Sequence, residues 1–390
     1  MLEERLAAVW DRLRRIADTG DPSPALEPQA LTEARQLTEL LHTNTGELND
    51  VTAWYALGWL HFHRYTALPD SQSGADLDAA VEAFTPCFLT GASGLPESLL
   101  PLLADTAAPH ASGLLRQALA STDPDLSSSA VAVAVLQRIA HATPADHPSR
   151  GGRLSNLGMA LQARFERTRD LSDLDQAVTT GQEAIHATPP SHPNRAVMLF
   201  TLGTALQARF ERTGDLSDLD QALGRFQAAV RATPPGHPNR HMYLSDLGTA
   251  LQARFERTRD LSDLDQAVAT GQEAIHATPP SHPNRAMLLS NLGIALRNRS
   301  ERTGDLSDLD QAVTTGQEAV HATPTDHPER AGRLSNLGNA LRARFERTGD
   351  LSDLDQVIDR FQAAVRATPA DHPERGMHLS NLGSALGARF

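Results

Sequence analysis

The chain lacks lysine altogether, so all 35 basic residues among its 390 are arginines. That absence removes Schiff-base chemistry and the phosphate-gripping lysine of nucleotide loops. A single cysteine, Cys87, leaves no intrachain disulfide and no multi-cysteine zinc site. Aromatic residues make up only 4 %. With Leu and Ala abundant, this favours helix, because strands prefer aromatic and β-branched residues. Long apolar runs are also missing. The longest, Ala130–Leu136, is far too short to cross a bilayer. The opening segment MLEERLAAVWDRLRR is charged throughout and has no apolar signal-peptide core. A cytoplasmic protein is expected. A formal charge of −13 gives phosphates little to bind, so neither nucleic acid nor membrane is expected as a partner. The chain contains no Gly-rich phosphate loop, Gly-x-Ser-x-Gly elbow or His-Glu-x-x-His motif. No cofactor is expected, and no catalytic constellation makes these 390 residues an enzyme.

What the chain does have is a period. His147, His192, His237, His282, His327 and His372 stand 45 residues apart, each followed by Pro. Gly158, Gly203, Gly248, Gly293, Gly338 and Gly383 keep the same step, each preceded by Leu. One worn copy precedes them: Gly113, Asp125, Leu126, Ser127 and Pro144 keep the register of Gly158, Asp170, Leu171, Ser172 and Pro189. The divisions are a helical N-terminal cap over 1–50, with helices at about 2–18 and 30–42, and a divergent region over 51–102. A degenerate unit over 103–147 follows, then five 45-residue units over 148–372 and the first helix of a further unit over 373–390. Helix B alternates between TGQEAIH-type and RFQAAVR-type wording, which points to a copied double unit of 90 residues.

Each unit reads as two helices. In the unit at 193, helix A is expected over about Pro193–Thr213, with Pro in its first turn, where a missing N–H costs nothing. Leu199, Leu202, Leu206 and Phe210 share one face. Arg209 and Arg212 suit the negative end of the helix dipole, and Gly214 suits a left-handed cap. Helix B is expected to start at Ser217, with Asp220 completing a variant capping box. Its stripe is Leu219, Ala222, Leu223, Phe226 and Val230, and Thr-Pro-Pro ends it.

With Leu202–Gly203 as the Leu-Gly pair, Ala222, Phe226, Ala229 and Pro234 fall at the Ala-x3-Phe-x2-Ala-x4-Pro spacing. This resembles the tetratricopeptide repeat (TPR), a 34-residue helix pair. Seven residues added between Gly203 and Ala222, and four between Pro234 and Leu247, account for the whole 45-residue period. The seven are expected to lengthen helix A and its turn. Trp54, Leu57, Gly58, Ala80 and Phe84 resemble a first repeat interrupted by a long loop. Three units depart from the pattern, with Gly181, Gly271 and Gly316 at the aromatic position of helix B. The resemblance implies an all-α, right-handed TPR-type α-solenoid, a superhelix of antiparallel helix pairs. The wording RFERTGDLxDLDxA and ATPxxHPxR also resembles arrays that precede CHAT (caspase-like) domains. The chain stops after a helix A, which would leave Leu379, Leu382, Leu386 and Phe390 partly uncovered. A longer protein, or a second copy over that face, is expected from this.

The repeated polar residues divide into builders and binders. Histidines one repeat apart are too far apart to share a metal, so the His-Pro ladder reads as a helix-start device. His61 and His63 point to different sides of one helix, and Cys87 reads as a core thiol. The RFERTGD phrase reads as a joint, with ion pairs between units such as Glu211 with an adjacent Arg. The binding candidates precede the Leu-Gly pair: Asn156, Thr201, Asp246, Asn291, Asn336 and Asn381. The TPR resemblance places helix A along the concave groove. O-linked N-acetylglucosamine transferase and kinesin light chain carry Asn at the matching place, gripping a peptide backbone. A side-chain amide offers donor and acceptor together. Ser290 and Ser335 adjoin the ladder; Asn339, Arg297 and Arg342 lie further along the same face. The competing reading has these Asn residues merely bonding the backbone of the neighbouring helix. The function this implies is a non-enzymatic scaffold for a protein or extended peptide segment. The alternatives are the sensor arm of a longer CHAT-type peptidase, or self-assembly through the last helix.

Overall fold

The computed structural model describes residues 2–43, 51–120 and 127–389. Asp125, Leu126 and Phe390, invoked above, lie outside them. The described residues form helices only, in two compact units, 1–192 and 193–390. The first unit opens with α1 (Leu2–Thr19), the short α2 (Ser23–Leu26) and α3 (Pro28–Thr43), which pack with α4 (Val51–Ala67). Val9, Leu13, Ile16, Leu37, Leu57 and Leu60 make their common core. Inside it, the buried Arg12 donates to Glu33 Oε2 at 2.7 Å and to the Pro24 carbonyl at 2.9 Å. Three antiparallel pairs follow: α4 with α5 (Asp70–Thr90), α6 (Leu100–Ala120) with α7 (Ser127–Ala142), and α8 (Arg150–Thr168) with α9 (Leu171–His186). The second unit holds α10 (Arg195–Thr213) with α11 (Leu216–Arg231), α12 (Arg240–Thr258) with α13 (Leu261–His276), α14 (Arg285–Thr303) with α15 (Leu306–His321), and α16 (Arg330–Thr348) with α17 (Leu351–Ala367). It closes on α18 (Arg375–Gly387).

Two packing solutions fill the pairs. In the unit at 193 the Phe226 ring lies on Gly203, where a Cβ would come within 2.6 Å of it. The same fit joins Phe361 to Gly338 and Phe84 to Gly58. In the other wording, a Cβ on Gly271 or Gly316 would meet Leu292 or Leu337 of the next helix A at 3.1 Å. One wording fills the pair from within; the other draws in the next pair.

Several expectations change. The α4–α5 link is two residues, not a long loop; the extra length became helix. The inserted residues of each 45-residue unit likewise enter helix A, which runs 19 residues, and only Gly214 and Asp215 separate α10 from α11. Helix A starts at Arg195, not Pro193, because the Pro lies in the preceding turn. Helix B starts one residue after Asp215, which caps it by accepting from the Ser217 N–H at 2.9 Å; Ser217 is not the cap. On α18, Leu379 is 48 % and Leu386 37 % exposed, as expected for an unpaired helix A, and Leu382 is half-buried. No described helix is long and apolar enough to cross a membrane.

Candidate functional site: the helix A face and the joint

The joint is built by charge. Arg209 donates from Nε and Nη2 to both oxygens of Asp218 at 2.8 and 2.6 Å. Arg164, Arg254, Arg299 and Arg344 do the same with Asp173, Asp263, Asp308 and Asp353. Each of these carboxylates is almost completely buried. The fork therefore clamps the end of helix A onto the first turn of its helix B, in the bidentate geometry that favours Arg over Lys. At three joints of the second unit a further bond reaches back one repeat. Arg254 meets Asp220 at 3.1 Å, Arg299 meets Asp265 at 3.1 Å and Arg344 meets Asp310 at 2.9 Å. Pairing between repeats thus exists, but Asp220 supplies it. Glu211 accepts from Gln207 on its own helix instead. The neighbouring carboxylates hold Arg254, Arg299 and Arg344 above the ordinary guanidinium range.

The turn between helices is equally self-contained. Gly214, Gly304 and Gly349 take positive φ of 71–81°, and Arg169 and Arg259 occupy the same left-handed place at 59° and 62°. Asp170, Asp260 and Asp305 sit below the usual carboxylate range, chiefly because each accepts from the N–H of the Ser two residues on.

The His ladder also builds turns. Nδ1 of His147, His237, His282, His327 and His372 accepts from the backbone N–H two residues later, at 3.1–3.2 Å. The Arg three residues after each His was not singled out by sequence reasoning. It reaches back to cap the preceding helix B: Arg285 donates to the carbonyls of Ile275 at 3.0 Å and Thr278 at 2.7 Å. Arg240, Arg330 and Arg375 repeat the contact. A cation there suits the dipole of a helix C-terminus. The signal was visible as Arg in every His-Pro-x-Arg. In the N-terminal part, His61 Nδ1 lies 2.7 Å from Asp76, which also takes Arg64 at 2.9 Å, whereas His63 packs against Trp59. Cys87 is fully buried and its thiol is pushed up to about 11 by burial, far from a reactive thiolate.

The ladder differs from all of this. Asn291, Asn336 and Asn381 are half-buried on α14, α16 and α18. Each donates from Nδ2 to the Ser Oγ of the preceding helix A: Ser245 at 3.4 Å, Ser290 at 3.1 Å and Ser335 at 3.3 Å. The bond runs to a side chain, not to backbone, and uses one of four capacities of the amide. Among the described residues, nothing donates to their Oδ1 atoms. Asn339 is half-buried on α16, one turn beyond Asn336. Arg297 and Arg342 stand six residues after Asn291 and Asn336 on α14 and α16, each beside a Glu of its own helix, Glu301 and Glu346. Asn156 is half-buried on α8 and belongs to the first unit.

Asp246 breaks the pattern. It is half-buried on α12 and, among the described residues, takes neither a hydrogen bond nor an ion pair. Burial pushes its carboxyl up to about 6. The ladder's partner lies 46 residues back, and there Phe200 replaces Ser. Its ring packs on Tyr243 at 4.7 Å and Phe226 at 5.7 Å.

Comparison with known proteins identifies the repeat. Residues 152–194, 285–329 and 330–374 match the tetratricopeptide repeat model. No curated protein matches the chain. Among solved structures, the C-terminal part of a TPR repeat-containing protein from Cytophaga hutchinsonii aligns at 10 % identity and TM-score 0.46, over 83 % of this chain and 99 % of that one. BtubC from P. vanneervenii aligns at 14 % identity and TM-score 0.43, over 65 % and 96 %. A thermophilic TPR protein of Thermus thermophilus aligns at 22 % identity and TM-score 0.38, over 60 % and 98 %.

Proposed function

Because this chain is a tetratricopeptide-repeat protein, we propose that it is a non-catalytic scaffold that holds an extended protein segment along the helix A face of its second unit. The observation that carries the reading is the half-used amide ladder. The bonds these amides donate to Ser fix each one in place. The free Oδ1 and the remaining Nδ2 proton are then a preset acceptor and donor for a peptide backbone. Orientation by a neighbour reduces the ordering cost of binding.

The spacing supports the same reading. The consecutive A helices α12, α14 and α16 touch, so ladder residues repeat at roughly 8–10 Å. An extended chain advances about 3.3 Å per residue, so one amide meets about every third residue of the segment. Asn291, Asn336 and Asn381 are the backbone grips, with Asn339, Arg297 and Arg342 flanking them.

The test is a display selection of random dodecapeptides on the whole chain, followed by titration of the retained peptides against the N291A/N336A/N381A variant. At least a tenfold loss of affinity, with the helical signal intact, is expected. Unchanged affinity would remove the ladder from the binding site.

A further inference from the structure

One rung of the ladder has a different chemistry. At Asn291, Asn336 and Asn381 an amide is matched with a Ser hydroxyl from the preceding helix A. At Asp246 both members change together: the amide becomes a carboxylate and the hydroxyl becomes the Phe200 ring. In those three rungs the hydroxyl accepts from the amide; a carboxylate would instead need a donor, which a phenyl ring is not, so the internal bond has no counterpart here. The ring is held where it is, 4.7 Å from Tyr243, which stands one turn before Asp246 on α12. Tyr243 is itself fully buried, so it forms a fixed wall behind Phe200.

A carboxylate withdrawn from water and left without a cation is unfavourable in the free protein. Structural carboxylates in this chain do not look like that: Asp218, Asp263, Asp308 and Asp353 are all clamped by Arg. Asp246 differs from these, and it stands on the face where the amides of Asn291, Asn336 and Asn381 keep an acceptor available. Thr249 beyond it is exposed, so the rung opens to solvent along the face.

Resting on the groove reading above, we infer that Asp246 and Phe200 form an anchor for one cationic side chain, Lys or Arg, of the bound segment. The carboxylate supplies the counter-charge and the ring face a cation–π surface. The half-buried setting strengthens both, because charges there are less screened than at the surface. The anchor sets which residue of the segment lies over α12, while the Asn rungs beyond it hold backbone without regard to sequence. Register and specificity thus come from one rung and general affinity from the others.

The experiment scans each position of a display-selected dodecapeptide with lysine and, in parallel, with norleucine, and titrates both series into the whole chain. One position is expected at which lysine binds at least tenfold tighter than norleucine. That preference is expected to vanish in Asp246→Asn, which installs the residue the other rungs carry and keeps the shape. In Phe200→Ser the lysine preference is expected to weaken several-fold. Absence of any lysine-preferring position, or a preference that survives Asp246→Asn, overturns the anchor. Because the Asn-to-Ala variant reads the other rungs, the two outcomes separate: peptides that need the Asn rungs yet ignore lysine refute the anchor alone. If no peptide depends on the Asn rungs, the groove reading fails and the anchor falls with it.

Discussion

The joint RFERTGDLSD and the ladder SNLG recur at the same 45-residue step, on the same helices, and use polar residues to opposite ends. In the joint, the arginine and aspartate that clamp the two helices are already paired with each other. Arg299 alone satisfies Asp308 and Asp265, and the turn atoms are taken by Thr303 and Asp305. On the ladder, the amides of Asn291, Asn336 and Asn381 are each oriented by one bond to a Ser, and nothing among the described residues donates to their Oδ1 atoms. The richer-looking motif is the structural one. The proposal that the ladder binds rests not on the density of charge but on how much hydrogen-bonding capacity the fold leaves unspent there.

The comparison breaks most visibly at the joint. Replacing Arg299 with Met strands the nearly buried Asp308 carboxylate. Removing one partner of such a pair costs about 3–5 kcal/mol. Urea unfolding of the second unit should show that loss, while peptide affinity at temperatures where the variant stays folded should not change.

Asp246 sharpens it from the other side. Its carboxyl is raised to about 6 by burial, above its unfolded range. Between the two values the folded state binds more protons than the unfolded one, so stability rises as pH falls from about 6 towards 4. Asp246→Asn should flatten that rise and add about 1–2 kcal/mol at pH 7, less than the full shift because the group is partly exposed. A denaturant midpoint series from pH 4 to 8 on both proteins checks it. The joint and the ladder's odd rung thus respond to charge removal with opposite signs.

The smallest effect concerns the turn. Arg259 holds a left-handed φ of 62° that Gly occupies in sister repeats. Arg259→Gly should relieve roughly 1 kcal/mol, less what is lost from its contact over the Phe255 ring at 5.7 Å. A rise of a few degrees or less in melting temperature is expected, with the joint otherwise intact.

Much of the fold was legible because repetition averages out local ambiguity. Leu202, Gly203 and Ala222 recur in register with the tetratricopeptide pattern, and where Phe226 and Phe361 complete it they pack on Gly203 and Gly338. The details that were missed are those decided by competition between near-equivalent polar groups. Asp215, Ser217, Asp218 and Asp220 all suit a helix start. Only three dimensions show that Asp215 caps, Asp218 takes Arg209 and Asp220 waits for the next repeat's Arg254. The His-Pro-x-Arg caps were hidden for a related reason: the carbonyls they serve lie seven and ten residues back, outside any local motif. On the candidate site, the ladder residues could be picked out by spacing. Their Ser partners across repeats could not, because spacing on one helix does not reveal what the next helix presents. Asp246 looked like a mere departure from Asn until its partner position proved to be Phe200.

The most direct measurement follows side-chain nitrogens in the 15N-labelled chain as a ladder-binding dodecapeptide is added. The Nδ2 resonances of Asn291, Asn336 and Asn381 should shift and gain protection from exchange. The Nε resonances of Arg254, Arg299 and Arg344 should stay where they are. Movement of the joint arginines with the ladder amides unmoved would contradict the account.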